Sequence, residues 1–139
     1  MGLLETLLPK AQAAHKTIVL AEGNDPRVMD AAAKIAKKGL ARVIVLATPE
    51  EAAKSAANVS FAGLNVQILN YLVATEKDRL MLKLLELRKS KGMTPEQARE
   101  TIKNRLYFGD LMVREGFADG RVAGSIASTP DMVRAAFQC

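Results

Sequence analysis

The sequence predicts an α/β fold of three layers, in which helices cover both faces of a mostly parallel β-sheet. Two observations support this prediction. Short β-branched runs alternate with helical patterns through the first half of the 139-residue chain, and that order is typical of parallel strands joined by right-handed crossover helices. The helical patterns also carry start and stop signals, which indicate where the connections between strands begin and end.

Three strands and two connecting helices are predicted in the first half of the chain. The strands cover residues 17–21, 41–47 and 65–70. The second strand, ARVIVLA, is a continuous β-branched run, which is typical of a strand buried on both faces. Asp25 is expected to cap a helix that ends at Gly39. The next helix is expected to begin with a capping box formed by Thr48 and Glu51.

The segments on either side of these strands are predicted to be mainly helical. An amphipathic helix opens the chain, with four leucines on one side: Leu3, Leu4, Leu7 and Leu8. A long helix covers residues 75–91 and ends at Gly92, and Thr94 and Gln97 form the capping box of the helix that follows. The remaining elements are a helix at 107–115, a short strand in DGRVAG, and a last helix that begins with Thr129 and Pro130.

The composition is that of a globular domain and argues against several classes of function. Hydrophobic residues make up 49% of the chain and charged residues 25%, and no segment has the apolar length that spans a bilayer. One cysteine, Cys139, and one histidine cannot build a His/Cys metal cluster or an internal disulfide. We therefore expect a cytoplasmic protein with no metal site and no membrane contact.

The net charge of +5 favours anionic partners such as phosphates, nucleotides or nucleic acid. Acidic residues alternate with the basic ones, even in the basic segment 83–91, so no like-charge block indicates a nucleic-acid-binding arm. Aromatic residues make up only 4% of the chain, which leaves little surface for stacking on bases. No nucleic-acid partner is expected, and a steep salt dependence of DNA or RNA affinity would contradict this.

Arg88 is the first candidate for a ligand contact. On a helical wheel it falls near the middle of the apolar arc, which is formed by Leu80, Met81, Leu84, Leu85 and Leu87. One interpretation is that its apolar stem covers the core while the guanidinium reaches water beyond the helix end. The other is that the guanidinium points into a cleft and binds a phosphate, for which its planar fork is suited.

The start of the last helix is the second candidate. Three helices begin with Thr-Pro, and those that start at Thr48 and Thr94 complete a capping box. Met132 occupies the corresponding position after Thr129 and completes none. The first N–H groups of the last helix are therefore expected to be more available to an anion than those of the other two.

Three side chains could support an anion at this helix start. Ser128 and Thr129 supply hydroxyl donors, and Arg134 lies one turn further on, from where it can lean back toward the same anion. Asp131 argues against such a site, because its carboxylate complements the helix dipole and repels a phosphate placed too close. An ordinary capped surface helix is the alternative interpretation.

Several motifs together are similar to those of one enzyme family. The stretches LRKSKGMTPEQA, at 87–98, and YFGDLMVREGFADGRVAGSIASTPDMVRAAFQ, at 107–138, closely resemble the phosphate acetyltransferase and phosphate butyryltransferase family. TIVLAEGNDPRVMDAAAKIAKKGLARVIVLA, at 17–47, is similar to the start of those enzymes. The resemblance covers nearly the whole chain, and the RKxKG motif and the final block look more like the acetyl branch.

This resemblance implies a phosphate acetyltransferase, which transfers an acetyl group reversibly between coenzyme A and inorganic phosphate. Acetyl-CoA and phosphate give acetyl phosphate and coenzyme A. Arg88 matches the arginine of the family's RKxKG motif, and Ser128, Thr129 and Arg134 match the last motif, so all four are implied substrate-binding residues. The resemblance further implies a cytoplasmic homo-oligomer of acetate metabolism, with coenzyme A as co-substrate and no bound cofactor.

The resemblance is to the N-terminal part of a two-domain enzyme. Residues 1–139 are expected to form one partial domain, with the second domain absent. The base that would deprotonate coenzyme A is expected in that second domain, so we identify no catalytic residue and expect the chain alone to be inactive. Ala127 and Ala135 stand where histidine and proline are common in the family. These departures motivate an alternative function, a non-catalytic phosphate- or CoA-binding or oligomerisation module.

Overall fold

The computed structural model describes residues 2–139 and confirms the three-layer α/β architecture. Its elements in chain order are α1 (Leu3–Ala14), β1 (Thr17–Leu20), α2 (Pro26–Lys37), β2 (Arg42–Leu46), α3 (Pro49–Ser55), β3 (Val66–Leu69), α4 (Lys77–Arg88), α5 (Pro95–Thr101), α6 (Arg105–Arg114), β4 (Gly120–Val122) and α7 (Thr129–Gln138). Each predicted strand and helix is therefore present, with ends that differ by a few residues from the predicted ones.

The four strands form one sheet in the order β3-β2-β1-β4, and every pair is parallel. The register aligns Ile18 with Val43 on one side and with Gly120 on the other. The chain adds strands outward from β1 to β3 and then returns across the sheet to place β4 at the opposite edge. The carboxyl ends of all four strands consequently lie at one edge of the sheet.

The core lies on both faces of the sheet, as the β-branched run of β2 predicts. Alternate residues of β1 and β2 face opposite layers. The face covered by α4, α6 and α7 includes Val19, Ile44, Leu46, Leu80, Leu84, Phe108 and Leu111. The face covered by α2 and α3 includes Leu20, Met29, Ala32, Val43 and Val45. Because neither face of these two strands is polar, hydrogen-bonding side chains can gather only at the strand ends.

The predicted helix caps are present. Asp25 accepts a hydrogen bond from the backbone of α2, and both Thr-Pro helices that were expected to form capping boxes do so, at Thr48 and Thr94. The long helix predicted over 75–91 is shorter. It is α-helical over α4 and tightens into a 3₁₀ turn at Lys89–Lys91 before Gly92, whose φ of 84° reverses the chain.

The first helix has an unusual exposure. Its predicted leucine side faces outward, and Leu3 is 75% exposed. The side chain of Gln12 donates to the carbonyl oxygen of Lys38 at 2.7 Å, which ties α1 to the end of α2. Among residues 2–139, no helix combines the length and apolar character needed to cross a membrane.

Substitution of Gly23 tests whether the β1–α2 connection lies as close to β2 as the structure shows. The N–H of Gly23 donates to the carbonyl oxygen of Leu46 at 3.0 Å, and a Cβ added to Gly23 would lie 2.7 Å from Val45 Cγ1 and 2.8 Å from Ala47 Cβ. We expect Gly23→Ala to lower the free energy of unfolding by about 2 kcal/mol or more, because these backbone and core atoms cannot move apart cheaply. Urea denaturation measures the difference. Gly2→Ala, which meets nothing within 4 Å, is the matched control and should change stability little.

Candidate functional site

The carboxyl edge of the sheet gathers the polar residues of the strand ends. β1 continues into Glu22, Gly23 and Asp25, and β4 continues into the segment Gly124–Ala127, called the clamped loop below. In open α/β sheets this edge is where ligands bind. The candidate site is therefore expected at this edge.

Glu22 holds the clamped loop. Its side chain is buried at 2% exposure, and its two carboxylate oxygens accept four consecutive backbone N–H groups. Oε1 accepts from Gly124 and from Ser125, the latter at 2.9 Å. Oε2 accepts from Ile126 at 2.8 Å and from Ala127 at 2.6 Å. The loop thus binds an anion, and that anion is the protein's own carboxylate.

The surroundings keep Glu22 ionised. Burial alone would raise its pKa, but the hydrogen bonds from Ala127, Ile126, Gly124 and Ser125 together outweigh burial and lower the pKa below its ordinary value. Sequence reasoning missed this residue. The only signal was a carboxylate directly after a buried strand, and its four partners lie in a distant part of the chain.

Asp25 and Arg27 attach a second point of the same loop. Arg27 pairs with Asp25 at 2.7 Å, and its Nη2 also donates to the carbonyl oxygen of Ser125 at 2.9 Å. Asp25 accepts from the backbone N–H of Arg27 at 2.9 Å, which is the expected cap of α2. The β1–α2 connection therefore contacts both the N–H and the C=O groups of the clamped loop.

A second polar cluster at this edge is centred on Arg105. Its guanidinium pairs with Glu51, donates to the hydroxyl of Tyr71 at 2.9 Å, and donates to Asn24 Oδ1 at 3.0 Å. It also lies over the Tyr71 ring, 5.1 Å from the centroid. Glu51 is the capping-box residue of α3, so Arg105 joins that helix to the connections after β1 and β3. We interpret this cluster as structural.

The start of α7 differs from its prediction. Ser128, not Thr129, is the N-cap, and its hydroxyl oxygen accepts the N–H of Asp131 at 3.3 Å. The N–H of Met132 bonds to the carbonyl oxygen of Ser128 at 3.1 Å. The N–H of Asp131 is therefore capped, and anion binding at the start of this helix stays a prediction. Ser128 caps the helix, and Glu22 binds the four N–H groups of the loop before it.

The structure brings Arg88 and Arg134 to the surroundings of one side chain, Tyr107. Burial raises the pKa of the Tyr107 hydroxyl, while the positive charges of Arg134 and Arg88 both oppose that rise. The same hydroxyl donates to Gln138 Oε1 at 2.9 Å. Arg88, at the end of α4, lines one groove with Gln138, and Arg134 lies one helical turn before Gln138 on α7.

The two arginines have different partners. Arg134 pairs with Asp131 at 3.2 Å, and its side chain is 59% exposed, so this pair is weak. Arg88 lines a groove of about 390 Å³ at the end of α4, together with Lys91, Gly92, Met93, Gln97, Thr101 and Gln138. Arg88 is half-buried, which agrees with both interpretations of its place on the apolar arc, a covering stem and a guanidinium that reaches a cleft.

The described residues hold no group of three or more His, Cys, Asp or Glu side chains arranged to bind a metal ion. Burial raises the pKa of the Cys139 thiol to about 12, and a thiol with so high a pKa is a poor nucleophile at neutral pH. Cys139 is therefore not a candidate nucleophile.

These features define an open parallel α/β protein with its polar loops at the carboxyl edge of the sheet and two arginines on an adjoining face. The chain belongs to the phosphate acetyl/butaryl transferase family, whose sequence model matches residues 2–139.

Relatives of known name agree with this membership. The chain is 44% identical over 138 residues to a phosphate acetyltransferase of Acetivibrio thermocellus, and 39% identical to one of Thermoanaerobacterium thermosaccharolyticum. It covers 99% of its own length in both matches, but 41% and 42% of those two relatives. The chain therefore spans about two fifths of the length of the curated relatives it matches.

Solved structures show the same fold. A phosphotransacetylase from Streptococcus pyogenes superposes with a TM-score of 0.87 at 35% identity, and one from Staphylococcus aureus with a TM-score of 0.85 at 33% identity. Each match covers 99% of this chain and 43% of the solved chain. The predicted fold and the resemblance are confirmed, whereas the roles of Arg88, Ser128, Thr129 and Arg134 stay predictions.

Asp25 is expected to give the protein a measurable acid dependence. Hydrogen bonds from the Arg27 side chain lower the pKa of Asp25 from 3.8 to about 2, against the effect of burial. The folded-state pKa is the lower one, so the stabilisation is present above about pH 4 and is lost as the pH falls through 2.

Asp25→Ala should therefore lower stability by about 1 kcal/mol at pH 7, and this difference should shrink steadily below pH 4. Thermal unfolding followed between pH 7 and pH 2 measures it. Asp30→Ala, which removes an exposed carboxylate on the same helix, is the control and should give a small difference that varies little with pH. A constant difference for Asp25→Ala would contradict the assigned cap and ion pair.

Arg105 offers a direct test of the structural cluster. Arg105→Met leaves the partly buried carboxylate of Glu51 without its charged partner, and we expect a loss of about 2 kcal/mol of unfolding free energy. Adding Glu51→Gln to this variant should recover part of the loss, because no uncompensated charge remains. Lys103→Met, which removes an exposed cation beside it, is the control for urea denaturation. If Arg105→Met and Lys103→Met lowered the free energy of unfolding by equal amounts, the structural role of the Arg105 cluster would be contradicted.

Proposed function

We propose that this chain forms the substrate-binding first part of a phosphate acetyltransferase. The reaction is the reversible transfer of an acetyl group between coenzyme A and inorganic phosphate. One observation carries this proposal: the similarity to phosphate acetyltransferases extends over 99% of the chain, a range that contains both arginine motifs. The remaining three fifths of those relatives has no counterpart in the chain, so the base that deprotonates coenzyme A is proposed to come from that portion.

The two arginines are proposed to bind the phosphate groups of the substrates. A guanidinium presents two parallel donors that match a phosphate. Arg88 lines a groove with Gln138, which follows Arg134 by one turn of α7. Arg134 must exchange Asp131 for the ligand. That exchange costs little, because the Arg134–Asp131 pair is exposed to water.

Ser128 and Thr129 are proposed to add hydroxyl donors at the start of α7. The Ser128 oxygen accepts the N–H of Asp131 as the helix cap, which leaves its own O–H proton free to donate outward. Thr129 is exposed beside it. Both hydroxyls thus lie at the end of the clamped loop, about one and a half helical turns before Arg134.

The reaction depends more on the positioning of its two reactants than on a resident cofactor. The thiolate of coenzyme A attacks the carbonyl carbon of acetyl phosphate, a C–S bond forms, and the C–O bond to the departing phosphate breaks. Arginine contacts hold the reactants close and offset the charge of the phosphate. Coenzyme A is a co-substrate in this scheme, with no resident cofactor. A cytoplasmic homo-oligomer of acetate metabolism is the proposed setting.

Calorimetric titration of coenzyme A and of acetyl phosphate into the purified chain tests this proposal. We expect binding to the native chain and a weakening of at least about tenfold, or 1.4 kcal/mol, in both Arg88→Ala and Arg134→Ala. Arg42→Ala is the matched control, because it removes an exposed arginine at the amino end of β2, the opposite edge of the sheet. It should leave the affinity unchanged.

Two results would contradict the proposal. Equal weakening in all three arginine variants would indicate attraction by net charge rather than a site. Absence of binding to the native chain at millimolar ligand would mean that these residues form no substrate site in this chain.

A further inference from the structure

We infer that Glu22 is a positioning residue for the substrate-binding start of α7. This inference rests on the proposed function, and it adds a role for a residue outside the two arginine motifs. Glu22 does not contact the ligand. It sets where Ser128 and the first turn of α7 lie, by holding the four residues that immediately precede them.

The clamped loop has only a small apolar anchor. Gly124, Ser125 and Ile126 are exposed, the Ile126 side chain is 57% exposed, and the one side chain of the loop that packs against the core is the methyl group of Ala127. A largely exposed loop with so small an anchor opens easily. Its conformation therefore depends on the hydrogen bonds from its own backbone, and Glu22 accepts four of these.

The geometry requires a carboxylate of this length. Two oxygens each accept two N–H groups, which uses the full acceptor capacity of the carboxylate. A glutamine of the same shape would turn an NH₂ group toward two of those donors. An aspartate is one methylene shorter and cannot reach the same four groups from the same backbone position.

Glu22 is also attached to a rigid part of the sheet. It follows directly after β1, the strand that pairs with both β2 and β4 in the middle of the sheet. Its negative charge is buried and is stabilised by the four N–H dipoles, which reduces its repulsion of a phosphate at the start of α7. The loop is therefore ordered before any ligand arrives, which lowers the entropic cost of binding.

The experiment uses the whole 139-residue chain, labelled with ¹⁵N. It measures three quantities: amide hydrogen exchange of Gly124–Ala127, the dissociation constant for coenzyme A, and the melting temperature. The variants are Glu22→Gln, Glu22→Asp and, as control, Glu51→Gln. Glu51 is a partly buried carboxylate that, like Glu22, accepts a backbone N–H, in this case from Thr48 at 2.9 Å in another loop.

We expect Glu22→Gln to speed the exchange of the loop amides at least tenfold and to weaken coenzyme A binding at least tenfold. Glu22→Asp should recover neither quantity. Glu51→Gln should lower the melting temperature by a similar amount while leaving the loop exchange and the affinity unchanged. This contrast separates positioning from a general loss of stability.

A second variant covers the case in which the Glu22 variants fail to fold. Arg27→Ala removes the other attachment of the loop, to the carbonyl oxygen of Ser125, from a side chain that is largely exposed. It should fold, loosen the loop and weaken coenzyme A binding about threefold. Faster loop exchange with unchanged affinity, in any of these variants, would overturn the inference.

Two further outcomes distinguish the positioning role of Glu22 from the proposed function. Unchanged loop exchange in Glu22→Gln would overturn the inference while the proposed function stands, provided that the native chain binds coenzyme A. Failure of the native chain to bind coenzyme A would overturn the proposed function, and the positioning role with it.

Discussion

Burial of β1 and β2 on both faces is the constraint on which the rest of this structure depends. Two apolar layers press on the same pair of strands, so their hydrogen-bonding capacity is used within the sheet and their side chains carry no chemistry. Polar groups are confined to the ends of the strands. Parallel pairing then brings all four carboxyl ends to one edge, where the sequence places Glu22, Asp25, Thr48 and the clamped loop.

At this edge the protein uses much of its anion-binding capacity on its own carboxylates. Four successive N–H groups of one loop surround Glu22, and the fork of Arg105 is occupied by Glu51 and Tyr71. Arg134, whose ion pair with Asp131 is exposed and weak, lies elsewhere, and so does Arg88. The clamped loop and the Arg105 cluster thus form a rigid scaffold, and the side chains of Arg88 and Arg134 are free to adapt to a phosphate. Binding groups are commonly presented on rigid scaffolds in this way.

Sequence reasoning succeeded where the physical cause is local. The capping boxes at Thr48 and Thr94 depend on residues three positions apart, and the double burial of β2 depends on one β-branched run. It failed where the cause is remote. Glu22 meets partners 102 to 105 positions further along the chain, and Arg105 meets residues up to 84 positions away. The cap of the last helix also lies at Ser128 and not at Thr129.

The return of the chain across the sheet has a consequence for assembly order. β1, β2 and β3 lie within the first 69 residues and can pair with one another as soon as they leave the ribosome, but the edge of β1 that accepts β4 waits for about fifty more residues. Contacts between such distant segments form slowly, because the entropy of closing a long loop is lost before the contacts can stabilise the chain. The carboxylate of Glu22 therefore has none of its four backbone partners until β4 and the clamped loop have been made, and the pairing of β4 completes both the sheet and this polar edge.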